Sequence, residues 1–119
     1  MSLETIQHQG KNIVLVDYTQ CGSLQEQKTL MAHSTKEILA KPDNSVLLMI
    51  DFKGQKTSPE LTELGKKSVV EINGKLKKAT FVGITALQKI ILNAINLLSK
   101  TEIKALNTRE DALNYLVKD

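Results

Sequence analysis

Two carboxylates stand where a catalytic or metal-binding pair could form. Asp17 and Asp51 each follow an apolar run, residues 13–16 and 46–50, that predicts an inner strand. Two acids at neighbouring strand ends could hold Mg²⁺ or act as an acid/base pair. Aspartate is also common where strands end and turns begin, and no other residue completes a site. We therefore interpret both acids as strand-ending residues and keep an enzyme that uses them as a lesser hypothesis.

Hydroxyl residues mark the start of the helix that follows Asp51. Residues 46–65 predict a buried strand, a polar turn and a helix entrance at Thr57, Ser58 and Pro59. Serine suits the N-cap position, and proline suits the first helical position because its missing N–H is not needed there. Sites in open α/β sheets normally lie at such strand-to-helix junctions, so this loop is the candidate site.

Other reactive side chains lack partners in the sequence. Cys21 is the single cysteine, which excludes an intramolecular disulfide and a cysteine metal site. His8 is interpreted as a solvent-facing strand residue and His33 as an exposed helix residue, too far apart in sequence for a local metal pair. Phosphate-binding glycine loops and the nucleophile elbow do not occur. We therefore expect no catalytic residues, no metal and no cofactor.

Composition predicts one domain, residues 1–119, that neither binds nucleic acid nor inserts into a membrane. The formal net charge is +3, and the aromatic residues are two Tyr and two Phe, whereas nucleic-acid binding usually needs a basic face with stacking rings. The densest basic cluster, residues 75–78, is interpreted as following from a helix C-terminus. No apolar run reaches spanning length, and residues 1–10 lack a signal-like apolar region, so we expect a cytoplasmic protein.

Hydrophobic periodicity predicts the element order β-β-α-β-α-β-α-β-α. Residues 5–8 and 13–16 form a hairpin around the loop 9–12, and later strands cover 46–50, 79–84 and 101–106. Capping patterns start helices at Ser23, Ser58, Thr85 and Thr108. Helices of crossover length predict a mixed, mostly parallel sheet of about five strands, in an α/β fold with four helices.

The helices carry expectations about their faces. We expect Gln27 on the wet side of the first helix, and Gly65 to allow close packing of the second helix on the sheet. Gly74 is expected to stop that helix in a left-handed conformation. Residues 87–98 form the most apolar helix, which should face the sheet broadly with Asn96 in a narrow wet stripe; such a helix can also serve as an interface.

The element order and two segments resemble the STAS domain family, the fold of the sporulation anti-sigma factor antagonists and of related small CRAL-TRIO-like bacterial proteins. One segment is residues 46–67, VLLMIDFKGQKTSPELTELGKK; the other is residues 79–116, which ends in a Thr-x-Glu-x-Ala-Leu helix. In phospho-switched members a partner kinase phosphorylates a hydroxyl at the helix entrance, and the matching positions here are Thr57 and Ser58. Pro59 stands where those antagonists continue an Asp-Ser-Ser-Gly-like motif, and Ser58 as a plain N-cap is the alternative.

The resemblance implies a non-enzymatic regulatory or protein-interaction module. Its partner would be a protein, such as a kinase or an anti-sigma-like regulator, held by the loop from Asp51 to Ser58 and by the following helix around Leu61. The CRAL-TRIO-like relatives imply the alternative, a small apolar ligand or lipid bound between sheet and helices. A homodimer through an apolar helix face or an edge strand is a further expectation.

Overall fold

The strands lie side by side in the order in which they occur in the chain. The computed structural model describes residues 2–118. Its strands are β1 (Ser2–His8), β2 (Lys11–Asp17), β3 (Val46–Asp51), β4 (Leu76–Val82) and β5 (Ile103–Leu106). Its helices are α1 (Leu24–Leu39), α2 (Pro59–Ile72), α3 (Ala86–Asn96) and α4 (Arg109–Val117).

The described residues form one mixed sheet of order β1-β2-β3-β4-β5. β1 is antiparallel to β2, and β2 to β5 are parallel to one another. The predicted α/β class, element order and mixed sheet are therefore confirmed.

Two apolar clusters fill the two faces of this sheet. Alternate residues of a strand point to opposite faces, so Val14 and Val16 of β2 join one cluster while Ile13 and Leu15 join the other. The first cluster contains buried residues of α1, α2 and α3, because successive right-handed crossovers in one direction place their helices on one side. The second cluster contains buried residues of α4. Burial on both faces explains the continuous apolar runs of β2 and β3.

The N-terminal hairpin turns at Gln9 and Gly10, so the predicted four-residue loop is wrong. Both residues have positive φ, 50° and 77°, as the two central residues of a type I′ turn require. His8 therefore pairs with Lys11, and Ile6 pairs with Ile13. The tight turn suits the right-handed twist of the strands, and residues 11 and 12 join β2.

Strand β4 begins at Leu76 and ends at Val82, earlier at both ends than predicted. Leu76 is buried in the core and pairs with β3, which extends the strand toward the N-terminus. Lys77 and Lys78 therefore belong to β4, and their assignment to a helix C-terminus is wrong. Gly74 is not the predicted left-handed stop, because it lies in a 3₁₀ turn, Asn73–Lys75, without positive φ.

Two expectations about helix faces are also wrong. Gln27 lies on the buried side of α1, together with Leu30 and Ile38, rather than on its wet side. Within 4 Å, a Cβ at Gly65 would meet only Cε of Met31, at an ordinary contact distance of 3.8 Å, so this glycine is not needed for close packing of α2 on the sheet.

Helix α3 does not face the sheet broadly, contrary to the prediction. Only Leu92 and Ile95 of its residues are fully buried. Asn96 does not form a wet stripe: its Nδ2 donates to the Ile103 carbonyl at 2.9 Å, and its Oδ1 accepts from the Ile103 N–H at 2.9 Å. These bonds fix α3 beside the edge strand β5, where there is too little sheet to cover the rest of its apolar side chains.

Candidate functional site

The two predicted acids lie beside each other at the carboxyl ends of β2 and β3. Asp17 and Asp51 are partners in the parallel register. Oδ1 of Asp17 accepts from the Thr19 N–H at 2.8 Å and from its hydroxyl at 2.6 Å, while Oδ1 of Asp51 accepts from the Lys53 N–H at 3.1 Å. These bonds to residues two positions later are typical of aspartates that end strands and start turns. The interpretation of both as strand-ending residues is confirmed.

Arg109 joins the two carboxylates from the far end of the chain. Its Nε lies 2.5 Å from Oδ2 of Asp51, and its Nη2 lies 3.0 Å from Oδ2 of Asp17. Arg109 is the first residue of α4, and the Thr108 hydroxyl caps that helix by accepting from the Asp111 N–H at 3.1 Å. The planar guanidinium can bond two carboxylates at once. We call Asp17, Asp51 and Arg109 the carboxylate clamp.

Within the carboxylate clamp, Asp17 and Arg109 stabilise each other in their charged forms. Partial burial raises the pKa of Asp17, but the bonds from Thr19 and from Arg109 together hold that pKa below its ordinary value. The hydrogen bond to Asp51 raises the pKa of Arg109 further. A general acid or base works best when its pKa is near the working pH. The pKa of Asp17 is lowered and that of Arg109 is raised, so both move away from neutral pH. These ion pairs join the start of α4 to the ends of β2 and β3.

The sequence did not predict the part that Arg109 plays. The sequence places residue 109 in the first turn of the last helix, but an arginine at that position does not indicate an ion pair. Asp51 and Arg109 are 58 residues apart in the sequence, so no short sequence motif contains both of them.

The predicted contact residues of the loop differ in their exposure. The Ser58 hydroxyl accepts from the Leu61 N–H at 3.1 Å, which confirms Ser58 as the N-cap of α2. Oγ1 of Thr57 lies 3.0 Å from Oγ1 of Thr62, and both Thr57 and Ser58 are half-buried. Asp51 is 5% exposed and Leu61 is 3% exposed. In this conformation Thr57 and Ser58 can meet a partner, whereas Asp51 and Leu61 support the loop from within.

Three glutamine amides hold the loop that precedes Ser58. Nε2 of Gln27, from α1, donates to Oε1 of Gln55 and to the Lys56 carbonyl, both at 3.0 Å. Nε2 of Gln55 donates to the Cys21 carbonyl at 3.1 Å, and Nε2 of Gln88, from α3, donates to the Gln55 carbonyl at 3.1 Å. This network could not be predicted from the sequence, because its members are neither charged nor closely spaced along the chain. The loop is thereby tied to α1, to the segment before α1 and to α3.

An apolar cavity of about 100 Å³ opens between α2 and α3. Three of the four aromatic residues line it: Tyr18 meets Phe52 edge to face with ring centroids 5.3 Å apart, and Phe52 meets Phe81 at 6.2 Å. Burial raises the pKa of the Tyr18 hydroxyl far above its ordinary value. Pockets for drug-sized ligands begin at about 300 Å³, so this cavity suits a smaller apolar group.

The remaining candidate side chains, those of Cys21, His33 and His8, lie outside the carboxylate clamp. Cys21 is half-buried, and burial raises the pKa of its thiol, which opposes thiolate reactivity. His33 is exposed, as predicted, with Nε2 3.7 Å from Oε1 of Glu37. His8 is half-buried rather than solvent-facing, and its buried Nε2 has no hydrogen-bond partner within residues 2–118.

Residues 2–118 contain neither a side-chain cluster suited to a metal ion nor a helix able to span a membrane. Within residues 2–118, no group of three His, Cys, Asp or Glu side chains could hold a metal ion. Within the same residues, every helix is too short or too polar to cross a bilayer.

The backbone is similar to that of a bacterial protein of known structure. The crystal structure of an uncharacterised protein from the DUF3478 family of Shewanella loihica PV-4 matches with a TM-score of 0.72 over 97% of this chain and 92% of that chain. Sequence identity is 13%, so the likeness concerns the fold alone. The sequence matched no known protein family and no curated protein. That neighbour has a SpoIIAA-like fold, and this chain therefore has the SpoIIAA-like, STAS-like fold that its element order predicted.

Proposed function

We propose that the chain is a non-enzymatic STAS-like module that binds a protein partner at the ends of α1 and α2. Two segments, residues 21–24 and 54–58, line an open cleft there. We call these two segments together with Lys53 the loop rim. The N-caps of both helices, Ser23 and Ser58, belong to it.

One observation carries this proposal: most residues of the loop rim are exposed, and yet its backbone is held by side-chain hydrogen bonds. Lys53, Gly54 and Lys56 are exposed, while the glutamine amides fix the backbone between them. A loop that is already ordered loses less conformational entropy on binding, which favours recognition of a partner. The two exposed lysines favour an acidic segment of the partner.

The carboxylate clamp supports the non-enzymatic part of the proposal. The two acids that could have worked as an acid/base pair are both bonded to Arg109. The resemblance to STAS domains implies a kinase or an anti-sigma-like regulator as the partner. Such a partner is consistent with a loop that binds another protein and carries no catalytic residues.

Phosphorylation of Ser58 or Thr57 would regulate this contact. A phosphate adds about −1.5 to −2 charges at neutral pH. On Ser58 it would replace the hydroxyl that caps α2 and would oppose the positive charge of Lys53 and Lys56 toward an acidic partner.

Capture experiments with paired variants test the proposed surface. The immobilised chain and its Lys53→Glu/Lys56→Glu variant are exposed to lysate, and retained proteins are quantified by mass spectrometry. Lys77→Glu/Lys100→Glu, which changes two exposed lysines elsewhere by the same charge, is the control. We expect at least one protein to bind the wild type and the control but not the loop-rim variant. The same retained proteins with all three would contradict the proposal.

A second pair of variants tests the regulatory step. Aspartate and asparagine both cap helices well, so Ser58→Asp adds a negative charge and Ser58→Asn does not, while each keeps an acceptor at the N-cap. We expect capture to fall with Ser58→Asp and to persist with Ser58→Asn. Equal capture by the two variants would contradict the proposal that a negative charge on Ser58 regulates partner binding.

The apolar cavity favours a second candidate function, the binding of a small apolar ligand. Dry apolar cavities of this kind bind benzene, which can therefore serve as the probe. We expect benzene to raise the melting temperature of the wild type but not of Ile91→Trp, which would fill the half-exposed mouth of the cavity. An unchanged melting temperature of the wild type would exclude this candidate.

A further inference from the structure

Helix α3 presents an apolar stripe to the outside of the molecule. Four large side chains on it and just after it remain largely exposed: Leu87 (65%), Ile90 (66%), Leu97 (88%) and Leu98 (73%). Ala94 is exposed between them. These five residues, which we call the α3 stripe, extend along all three turns of the helix. Exposure of this extent at both ends of the helix shows that no neighbouring element of residues 2–118 covers it.

The spacing of the α3 stripe is that of a helix-packing seam. Leu87, Ile90, Ala94 and Leu97 are separated by three, four and three residues, which is the heptad spacing of paired helices. The small side chain of Ala94 in the middle leaves room for a large side chain from a facing helix. In an antiparallel pair of α3 helices, Ile90 of each copy would lie against Ala94 of the other, and Leu87 against Leu97.

We propose that the α3 stripe is the contact surface of a symmetric homodimer of this chain. The two α3 helices pack antiparallel about a two-fold axis midway between Ile90 and Ala94. Such an interface is isologous, so one self-complementary stripe supplies both halves of it. The loop rim lies outside the stripe and remains available for a different protein partner.

The character of the helix favours a second copy over a lipid surface. Helices that lie on membranes carry a polar face rich in lysine and arginine. Lys89 is the one charged residue of α3. On its inner side Gln88 and Asn96 are bonded to the Gln55 and Ile103 carbonyls of the protein's own fold. The helix therefore lacks the basic flank that would hold it on anionic lipid.

The size of the stripe sets the expected strength of the dimer. Four large side chains with these exposures offer an apolar patch on the order of 300–400 Å² per copy, within the range of patches that are often functional. Two copies would bury on the order of 700 Å² of apolar surface, whereas stable specific interfaces start at about 1,200 Å² in total. We therefore expect a concentration-dependent dimer with a Kd in the micromolar range.

Sedimentation equilibrium between about 5 and 500 μM tests the proposal, since this range brackets a micromolar Kd. Ile90→Glu places a charge in the stripe, and Val70→Glu does the same at a 58% exposed aliphatic residue of α2. We expect Ile90→Glu to raise the dimer Kd at least tenfold and Val70→Glu to leave it unchanged. Both side chains are more than half exposed in the monomer, so each variant should fold, which circular dichroism verifies.

Cross-linking locates the two-fold axis. In a Cys21→Ser background, we expect a mixture of Ile90→Cys and Ala94→Cys chains to form a disulfide-linked dimer of the two variants under mild oxidation, and Glu71→Cys, an exposed position on α2, not to form one. A wild type that is monomeric across the whole range, or a dimer weakened equally by Ile90→Glu and Val70→Glu, would overturn the proposal. Sedimentation with phosphatidylserine vesicles that depends on Ile90, without self-association, would assign the stripe to a lipid surface instead.

Discussion

Removing Arg109 from the carboxylate clamp should destabilise the fold more than any other single charge change described above. Arg109→Met would leave Asp17 and Asp51, partners in neighbouring strands, without their shared cation. The Asp51 side chain is 6% exposed and that of Asp17 is 17% exposed, so water can solvate their charges only in part.

The size of the effect follows from how deeply the clamp is buried. Breaking a fully buried ion pair costs about 3–5 kcal/mol, and a surface pair is worth about 0–1 kcal/mol. The arginine side chain is 43% exposed, which places this clamp between the two limits. We therefore expect a loss of about 2–3 kcal/mol, which lowers the melting temperature of a domain of this size by about 10 °C.

The pH dependence of that loss gives the decisive signature. The pKa of Asp17 in the folded wild type lies below its unfolded value, so the stability it contributes is present above the unfolded pKa of about 3.9 and disappears as pH falls through the folded pKa. Arg109→Met removes the part of this contribution that comes from Arg109, while the bonds from Thr19 remain, and protonation of Asp17 at low pH relieves its repulsion with Asp51. The difference between wild type and variant should therefore shrink as pH falls below about 4.

Thermal unfolding followed by circular dichroism, at pH values from about 7 down to 3, measures both quantities. Lys28→Met, which breaks the exposed ion pair between Lys28 Nζ and Glu60 Oε2 at 2.6 Å, is the control and should cost less than about 1 kcal/mol. Combining Arg109→Met with Asp51→Asn should recover part of the loss. A loss no larger than that of the control, or one that is the same at all pH values, would refute the reasoning.

Three further predictions concern the backbone and the buried phenol. Ser58→Ala removes the N-cap of α2 and should lower the free energy of unfolding by about 1 kcal/mol in urea titration, whereas no change would mean that the cap is replaced by water. Gly83→Ala should lower the free energy of unfolding by at least about 2 kcal/mol, because Gly83 has a φ of +76° and a Cβ there would lie 2.6 Å from Cβ of Lys53. Gly74→Ala is the control: this glycine has open space around it and no positive φ, so the substitution should be neutral or stabilising. In a Tyr115→Phe variant, which leaves Tyr18 as the remaining tyrosine, ultraviolet titration should show no phenolate until alkaline unfolding, because burial raises the pKa of Tyr18. The stability that the neutral phenol gives is present below the unfolded pKa of about 10 and is lost as pH rises through the folded pKa. A phenolate in the folded protein near pH 10 would contradict this prediction.

Local sequence patterns were sufficient for the order and type of the elements. Ser23, Ser58, Thr85 and Thr108 each cap a helix, because capping depends on residues within one turn. The continuous apolar run of residues 46–50 predicted a central strand, since burial on both faces leaves no polar alternation.

The errors arose where burial depends on distant elements. Gln27 is buried because Gln55 and Lys56 bring partners for its amide, which no pattern within α1 can show. The apolar side chains of α3 were assigned to the sheet, but the position of α3 beside the edge strand leaves them outside. Arg109 could not be predicted for the same reason: its function in the fold exists only once α4 has reached the ends of β2 and β3.

The sequential strand order has a kinetic consequence. Each strand pairs with the strand that precedes it in the chain, so the sheet can grow by addition of neighbours with short loop closures. Helix α4 is different, because its contact between Arg109 and Asp51 joins residues that are 58 positions apart in the sequence. We therefore expect α4 to dock late in assembly, so that weakening the bonds of Arg109 accelerates unfolding far more than it slows folding.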